Sequence, residues 1–482
     1  MKEYLKRGYP QEVGIEPENI INFIKELDEK RINMHSFLLL KDDTIVSEAY
    51  YAPYNRDTLH RMFSITKSFT SIAIGLLESE GKINLDDRIV TYFQDKIEDL
   101  KINSYMQDLT IRDMLTMSTV HTSTTYKKVS HNDYVKSFFE IEPSHYPGTA
   151  FFYDTSSSHT LAGLVKKITG KNILDYLKEK CLDDIGFSRE SYVLSDPLGI
   201  SLGGSGLMAK PIDILRFAYL IMNMGQLNGI SYLPQNYIKE ATTIKKNTYA
   251  HGNIDAEKYG YGYQFFMTKY EGFCLYGMGG QLALCFPKEN MILVTTADTQ
   301  DGNEKTQAIF DAFYKNIYEK LSKKISTNDA KSKDSYKELE QLIASLRIQE
   351  KDILSDYTKV NKLDNTKIVF DENDIQIKEI RFNIYNNYGD ITMQFDKQCY
   401  TITFGINDLR EGTFDIYNMK YLSKILIADD NTYIIRLHII DESVCPLYIE
   451  VSYKGDNATI YMKNKDEVFF KEFNGCASGK WQ

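Results

Sequence analysis

Apolar residues in "PENIINFIKELDEKR" (17 to 31) recur at three- and four-residue intervals, which predicts an amphipathic helix. Two short apolar runs, "SFLLLKD" and "TIVSEAYY", follow on either side of a turn-like "KDD" and predict a pair of strands. The stretch "FSITKSFTSIAIGLLESEGKINLDD" (63 to 87) reads differently. After Lys67 it is almost wholly apolar, so the helix it predicts is buried nearly all round, and Gly81 supplies the residue that ends it. "LTIRDMLTM" (109 to 117) predicts a helix capped by Thr110, and "HTLAGLVKKITG" and "NILDYLKEKCLDDIG" predict two more, each closed by glycine. "GSGLMAKPIDILRFAYLIMNMG" (204 to 225) opens as a glycine-rich loop and turns helical after Pro211. From 259 the pattern shifts to strands, "YGYGYQFFMTKY", "GFCLYGMGG", "QLALCFPKEN" and "MILVTTAD", before a last helix over roughly 303 to 322.

The patterning then breaks. "LSKKISTNDAKSKDSY" (321 to 336) is polar and charged, the character of a linker, and a short helix is expected near 337 to 347. Beyond it nearly everything alternates: "IQIKEIRFNIY", "DITMQF", "YTITFGI", "KILIADD", "TYIIRLHII", "PLYIEVSY" and "ATIYMKN", separated by Asn, Asp and Gly turns. That pattern predicts an antiparallel meander or small barrel. The expected organisation is an α/β domain of the α+β type over 1–322, a linker over 323–336 and a β-rich domain over 337–482.

A chain of 482 residues is longer than one hydrophobic core usually spans, which agrees with two domains. A net charge of −10 argues against a nucleic-acid partner. No run of 18 apolar residues occurs, so no membrane span is expected. The six cysteines form no C-x-x-C pair and mostly lie in apolar stretches, the pattern of buried thiols in a reducing compartment. "MKEYLKRGYPQEVGI" has basic residues but no apolar core of a secretory signal, so a cytoplasmic location is expected.

The candidate chemistry lies at Ser64 and Lys67. A serine hydroxyl needs a base before it becomes a good nucleophile, and a lysine three residues on lies one helical turn away, within reach of Ser64 Oγ. A desolvated lysine loses basicity and can work as that base, while the helix N-terminus adds a positive field at the serine. Tyr153, in a loop before a buried helix, is a second candidate. An ammonium beside it would lower its pKa from about 10 and let it relay protons. "YGMGGQLALCFP" (276 to 287) is a third: its glycines would let a strand backbone approach a ligand and offer an oxyanion donor beside the N–H of Ser64.

The order and context of these segments resemble the serine β-lactamase and penicillin-binding-protein-like hydrolases, in the branch of class C β-lactamases, family VIII esterases and 6-aminohexanoate-oligomer hydrolases. The resemblance covers about residues 10 to 320 and runs through the Ser64 helix, "LTIRDMLTMSTVHT", "PGTAFFYDTSSSHTLAGLVKKITGKNILDYLKEKCLDDIGF", "GGSGLMAKPIDILRFAYLIMNMGQLNG" and "YGMGGQLALCFPKENMILVTTAD". It implies a β-lactamase/DD-peptidase-like fold, an antiparallel sheet flanked by helices with a helical subdomain. It also implies that Ser64 is the acylated nucleophile, Lys67 its base or proton relay, and Tyr153 the group that protonates the leaving atom and helps activate water. Gln281 would pair its backbone N–H with that of Ser64 in the oxyanion hole. Met278, Gly279 and Gly280 would take the place of the family's Lys-Thr-Gly strand motif.

Two departures bear on substrate. Where the family has Tyr-x-Asn this chain has Tyr153-Asp154-Thr155, so the side-chain amide is replaced by Thr155 or absent. Met278 stands where a cation commonly meets a substrate carboxylate. The expectation is therefore a serine hydrolase acting on a small-molecule ester or amide through an acyl-enzyme, without a cofactor. The alternatives are a DD-peptidase or β-lactamase, or a ligand-binding member without catalysis. "GGSGL" (203 to 207) fails the spacing of a nucleophile elbow at Leu207 and reads as a loop bordering the pocket. His121, His131 and His145 have no metal-ligand spacing, and His159, six residues past Tyr153, reads as a capping or solvent-facing residue in preference to one bordering the site. Oligomeric state and the role of the C-terminal domain stay open.

Overall fold

In the computed structural model, which describes residues 4–322, 330–350, 352–354, 356–464 and 469–482, Phe37 and Leu39 face one hydrophobic core while Leu38 and Leu40 face another. Successive side chains of a strand point to opposite faces, so an uninterrupted apolar run marks a strand covered on both sides. That strand, Asn33–Lys41, lies inside a seven-stranded sheet. The order across the sheet is Lys6–Arg7, Thr44–Tyr50, Asn33–Lys41, Met291–Asp298, Gln281–Phe286, Phe273–Gly277 and Phe266–Met267. Every pairing is antiparallel except that of Lys6–Arg7 with Thr44–Ile45.

One core takes in the apolar residues of the helices Pro17–Glu29 and Asn303–Asn316. The other takes in those of Ile65–Ser79 and Pro211–Met222. The same second core extends over the helical residues 104 to 182, which form the subdomain expected from the resemblance.

Backbone contacts divide the chain into two compact units, Met1–Arg347 and Ile348–Gln482. The boundary differs from the expected one. Part of the anticipated linker, 323–329, lies outside the described residues, but 330–336 is helical, in a helix running Ala330–Ser345. Its charge misled the reading, because its apolar stripe has a partner. Leu339 is buried in the core beside the Pro17–Glu29 helix, and the Tyr336 ring meets Tyr9 edge-on at 4.8 Å. The helix thus belongs to the first unit.

Among the described residues, the second unit holds ten strands, nine of them in a ring. Eight antiparallel pairings run from Cys399–Gly405 round to Met419–Asp429, and a parallel contact of Gly405 with Lys424 closes the circle. Arg410–Phe414 pairs outside it along Met419–Asp429. Closure removes exposed strand edges, and the inward residues, among them Ile391, Ile402, Ile435, Ile449 and Ile460, fill the interior.

Candidate active site

Ser64 sits at the N-cap of the Ile65–Ser79 helix, at the end of a short strand. That strand, His60–Arg61, pairs with Leu207–Ala209, and the pairing continues through Met62 N–H on the Leu207 carbonyl and a bridge from Phe63 to Gly206. Phe63, immediately before the serine, has φ of 45°, a left-handed conformation that a bulky residue rarely adopts. The chain turns sharply there, and the strain lies next to the candidate nucleophile.

Lys67 is only 1% exposed. Its Nζ donates to Ser64 Oγ at 3.0 Å, to Thr155 Oγ1 at 3.2 Å and to the Gly204 carbonyl at 2.7 Å. These three acceptors come from three separate elements and carry no formal charge. The ammonium also stands 4.7 Å from the centre of the Tyr153 ring, over its face.

Tyr153 hydrogen-bonds Ser64. Contrary to the expected lowering, its phenol is pushed up from the ordinary value. Burial is the main cause, and the hydrogen bond with Ser64 pulls only partly the other way. Tyr153 is 36% exposed, so the residue borders solvent while its hydroxyl bonds Ser64. Tyr153, Tyr261, Phe266 and Tyr276 form an aromatic wall, with centroids 5.9 Å apart for Tyr153 and Phe266, 6.2 Å for Tyr153 and Tyr261, and 5.1 Å for Phe266 and Tyr276. Glu257 hydrogen-bonds the Tyr276 hydroxyl.

The departures from Tyr-x-Asn each have a structural role. Asp154 caps the Thr155–Thr169 helix, accepting from Ser156 N at 2.9 Å and from the Ser156 hydroxyl. Burial raises its carboxyl to about 6, against the opposing pull of the Ser156 bonds and the Lys67 charge. Thr155, the first residue of that helix, holds Lys67.

The glycine segment is placed differently from the expectation. Met278, Gly279 and Gly280 form a turn after the Phe273–Gly277 strand instead of lying in it. Gly279 and Gly280 have φ of 82° and 87°, as a tight hairpin requires. A Cβ on Gly280 would meet Ile309 and Ala297, so Gly280 faces the second helix layer and not Ser64. Gln281 is fully buried, its side chain donating to the Met278 and Ala297 carbonyls and accepting from Ala297 N. It staples the hairpin. Gly277 packs against the segment that leads into Ser64: a Cβ there would lie 2.4 Å from the Met62 carbonyl. The two-residue periodicity of strands does not reveal where a hairpin turns, so the sequence pattern missed this shift.

"GGSGL" does border the site, through the Gly204 carbonyl. A Cβ on Gly204 would come 2.5 Å from Thr155 Cγ2, and one on Gly203 2.4 Å from Ala162 Cβ, so both positions require glycine. His159 is neither a cap nor solvent-facing: it is buried against Asp196, with Nε2 and Oδ2 3.0 Å apart. His121 bonds the Phe138 carbonyl, His131 Glu140 and His145 Ser144. Among the described residues no cluster of three or more His, Cys, Asp or Glu side chains could hold a metal ion, and no helix is long and apolar enough to cross a membrane. Cys399 and Cys476 are exposed, unlike the other four cysteines.

The first unit thus has the β-lactamase/penicillin-binding-protein-like fold, an antiparallel sheet between helical layers with a serine and lysine at the head of a buried helix. The model of the family described as Beta-lactamase matches residues 20–312, more than half of the chain. The chain belongs to that family. It is 24% identical over 211 residues to "Protein flp" of Staphylococcus aureus (strain COL), a match covering 39% of this chain and 41% of that protein. It is 19% identical over 218 residues to the 6-aminohexanoate-dimer hydrolase of Paenarthrobacter ureafaciens, covering 42% and 56%. The chain therefore spans less than two thirds of the length of these relatives. A family VIII carboxylesterase crystal structure superposes with a TM-score of 0.52 at 16% identity, over 64% of this chain and 99% of that one.

Proposed function

We propose that this protein is a serine hydrolase that cleaves neutral small-molecule esters or amides through an acyl-enzyme. The observation that carries the reading is the 3.0 Å hydrogen bond from a buried Lys67 Nζ to Ser64 Oγ. Buried within hydrogen-bond reach of Ser64 Oγ, Lys67 Nζ is placed to serve as its base. Lys67 takes the Ser64 proton as Oγ attacks the acyl carbon. The oxyanion is met by the Ser64 N–H and an N–H of the Gly277 to Gln281 hairpin. Tyr153, protonated and bonded to Ser64, delivers a proton to the leaving atom as the proton taken up by Lys67 replaces it, and then orients the deacylating water. No bound cofactor takes part in these steps.

Substrate charge follows from the walls. The Phe273–Gly277 strand carries no Lys, Arg or His, and Glu257 lies behind Tyr276. A substrate carboxylate entering beside the aromatic wall loses hydration without a cation on that strand to replace it. The relatives' names, a 6-aminohexanoate-dimer hydrolase and a family VIII carboxylesterase, agree with a hydrolase of this kind. A panel of p-nitrophenyl esters and short linear amides, run beside a chromogenic cephalosporin, tests the reading. Hydrolysis of the cephalosporin alone would overturn it.

A further inference from the structure

Two of the three hydrogen bonds that hold Lys67 depend on a relationship hidden below the site. Thr155 belongs to the Thr155–Thr169 helix and Gly204 to the loop that follows Leu194. The two elements are joined by His159 and Asp196, whose side chains are 1% and 0% exposed. His159 lies one helical turn beyond Thr155, on the same face. Its Nδ1 has no hydrogen-bond partner among the described residues, and the Tyr126 and Tyr134 rings approach it edge-on at 6.0 and 5.7 Å. An N–H at Nδ1 would be buried without an acceptor, so the geometry puts an Nε2–H on Asp196 Oδ2 at 3.0 Å.

The other oxygen of Asp196 organises the loop. Oδ1 accepts from Leu198 N at 2.9 Å and Ile200 N at 2.8 Å, and Asp196 N donates to the Ile200 carbonyl. The turn so formed closes a narrow hairpin. Ser195 bridges Ser201, Leu202 N donates to the Leu194 carbonyl, and Ser205 and Gly206 N–H groups fold back on Leu202. Gly204 sits in that last turn. Burial by itself pushes the Asp196 carboxyl up, but the bonds from His159, Ile200 and Leu198 outweigh it and hold the group below its ordinary value. A charged carboxylate satisfied on both oxygens is a rigid joint, whereas a half-satisfied one would be costly at this depth.

We propose that His159 and Asp196 are positioning residues for the base: the pair fixes the spacing between Thr155 Oγ1 and the Gly204 carbonyl, and so the place of Lys67 Nζ relative to Ser64. Neither touches Ser64. Their loss would let the Gly204 loop and the Thr155 helix drift apart, and a displacement of about 1 Å in a proton-transfer group costs on the order of 10²-fold in rate. The proposal rests on Lys67 acting as the base for Ser64.

The test compares single-turnover acylation of Ser64 by a neutral p-nitrophenyl ester in wild type, Asp196→Asn, His159→Leu, His159→Gln and Lys67→Ala, together with kcat, KM and the pH profile of each. Asp196→Asn keeps an oxygen for Leu198 and Ile200, and His159→Gln keeps a donor for Asp196, so both retain the local fold. The expected result for Asp196→Asn and His159→Leu is acylation slowed by roughly 10- to 100-fold, KM held, and a pH profile displaced because the surroundings of Lys67 have changed. His159→Gln should recover most of the loss. Folded Asp196→Asn with wild-type acylation and an unmoved pH profile would overturn the proposal, whether or not His159→Leu folds. Equal loss in His159→Gln and His159→Leu would overturn it as well. If Lys67→Ala keeps wild-type acylation, the reading of the site itself fails, which is a separate outcome.

Discussion

Thr155 Oγ1 accepts a hydrogen bond from Lys67 Nζ at 3.2 Å. The residue that replaces the family's side-chain amide therefore holds Lys67, the proposed base. Removing one neutral acceptor from a buried ammonium costs about 1–2 kcal/mol, roughly a tenfold effect. Thr155→Val keeps shape and burial and should lower kcat by about that factor with KM little changed, while Thr155→Ser should stay close to wild type. Steady-state kinetics on one neutral ester check this. A rise in KM with kcat intact would assign Thr155 to substrate binding instead.

Tyr153 is held protonated by burial. A phenol raised above its ordinary value of about 10 does not ionise in the working range, so no limb of the pH–rate profile between 8 and 10 should belong to it. Tyr153→Phe should reduce kcat by about 10²- to 10⁴-fold and leave the shape of the profile as it was. Loss of a basic limb in Tyr153→Phe would show that the phenolate is the active form.

Asp154 makes stability depend on pH. Its folded-state value of about 6 lies above the ordinary carboxyl value, so the folded protein binds the proton more tightly than the unfolded chain. The resulting penalty is absent below about pH 4, grows as pH rises through 6, and is fully present above it. Asp154→Asn keeps the oxygen that caps Ser156 N and removes the charge. It should raise stability by about 1–3 kcal/mol at pH 8 and show no gain near pH 4. Thermal melts of both proteins at the two pH values check the sign. Greater stability of the wild type at pH 8 would mean that the pairing of Asp154 with Lys67 outweighs burial.

The absence of a cation on Phe273–Gly277 sets a preference. The ratio of kcat/KM for a short neutral ester to that for a cephalosporin should be at least ~10², since an unpaired carboxylate costs several kcal/mol. A ratio near one would point to a cation elsewhere on the walls.

How far the sequence revealed the site depends on the range of each contact. Ser64 and Lys67 are three residues apart on one helix, and the almost wholly apolar stretch after them already showed that the helix is buried. Tyr153 was legible through its place before the next buried helix. Gly204, 137 residues from Lys67, and Asp196, 37 from His159, were not, because no local periodicity encodes which loop closes over which helix. His159 looked exposed because its neighbours, "TSSSHT", are polar, yet Ser156, Ser157, Ser158 and Thr160 are all buried. The Met278 turn was misplaced for the reason that its glycines suit a strand facing a ligand and a hairpin equally. The start of the Ala330–Ser345 helix was hidden by the charge of its sequence, because the partners of its apolar residues Tyr336 and Leu339 come from the far end of the chain.

The central claim is that Ser64 is the nucleophile, and the most direct measurement is covalent labelling. A fluorophosphonate probe followed by peptide mass spectrometry should give one adduct, on the peptide containing Ser64, and Ser64→Ala should abolish labelling and ester hydrolysis together. An adduct on Ser205 or another serine, or hydrolysis persisting in folded Ser64→Ala, would contradict the account.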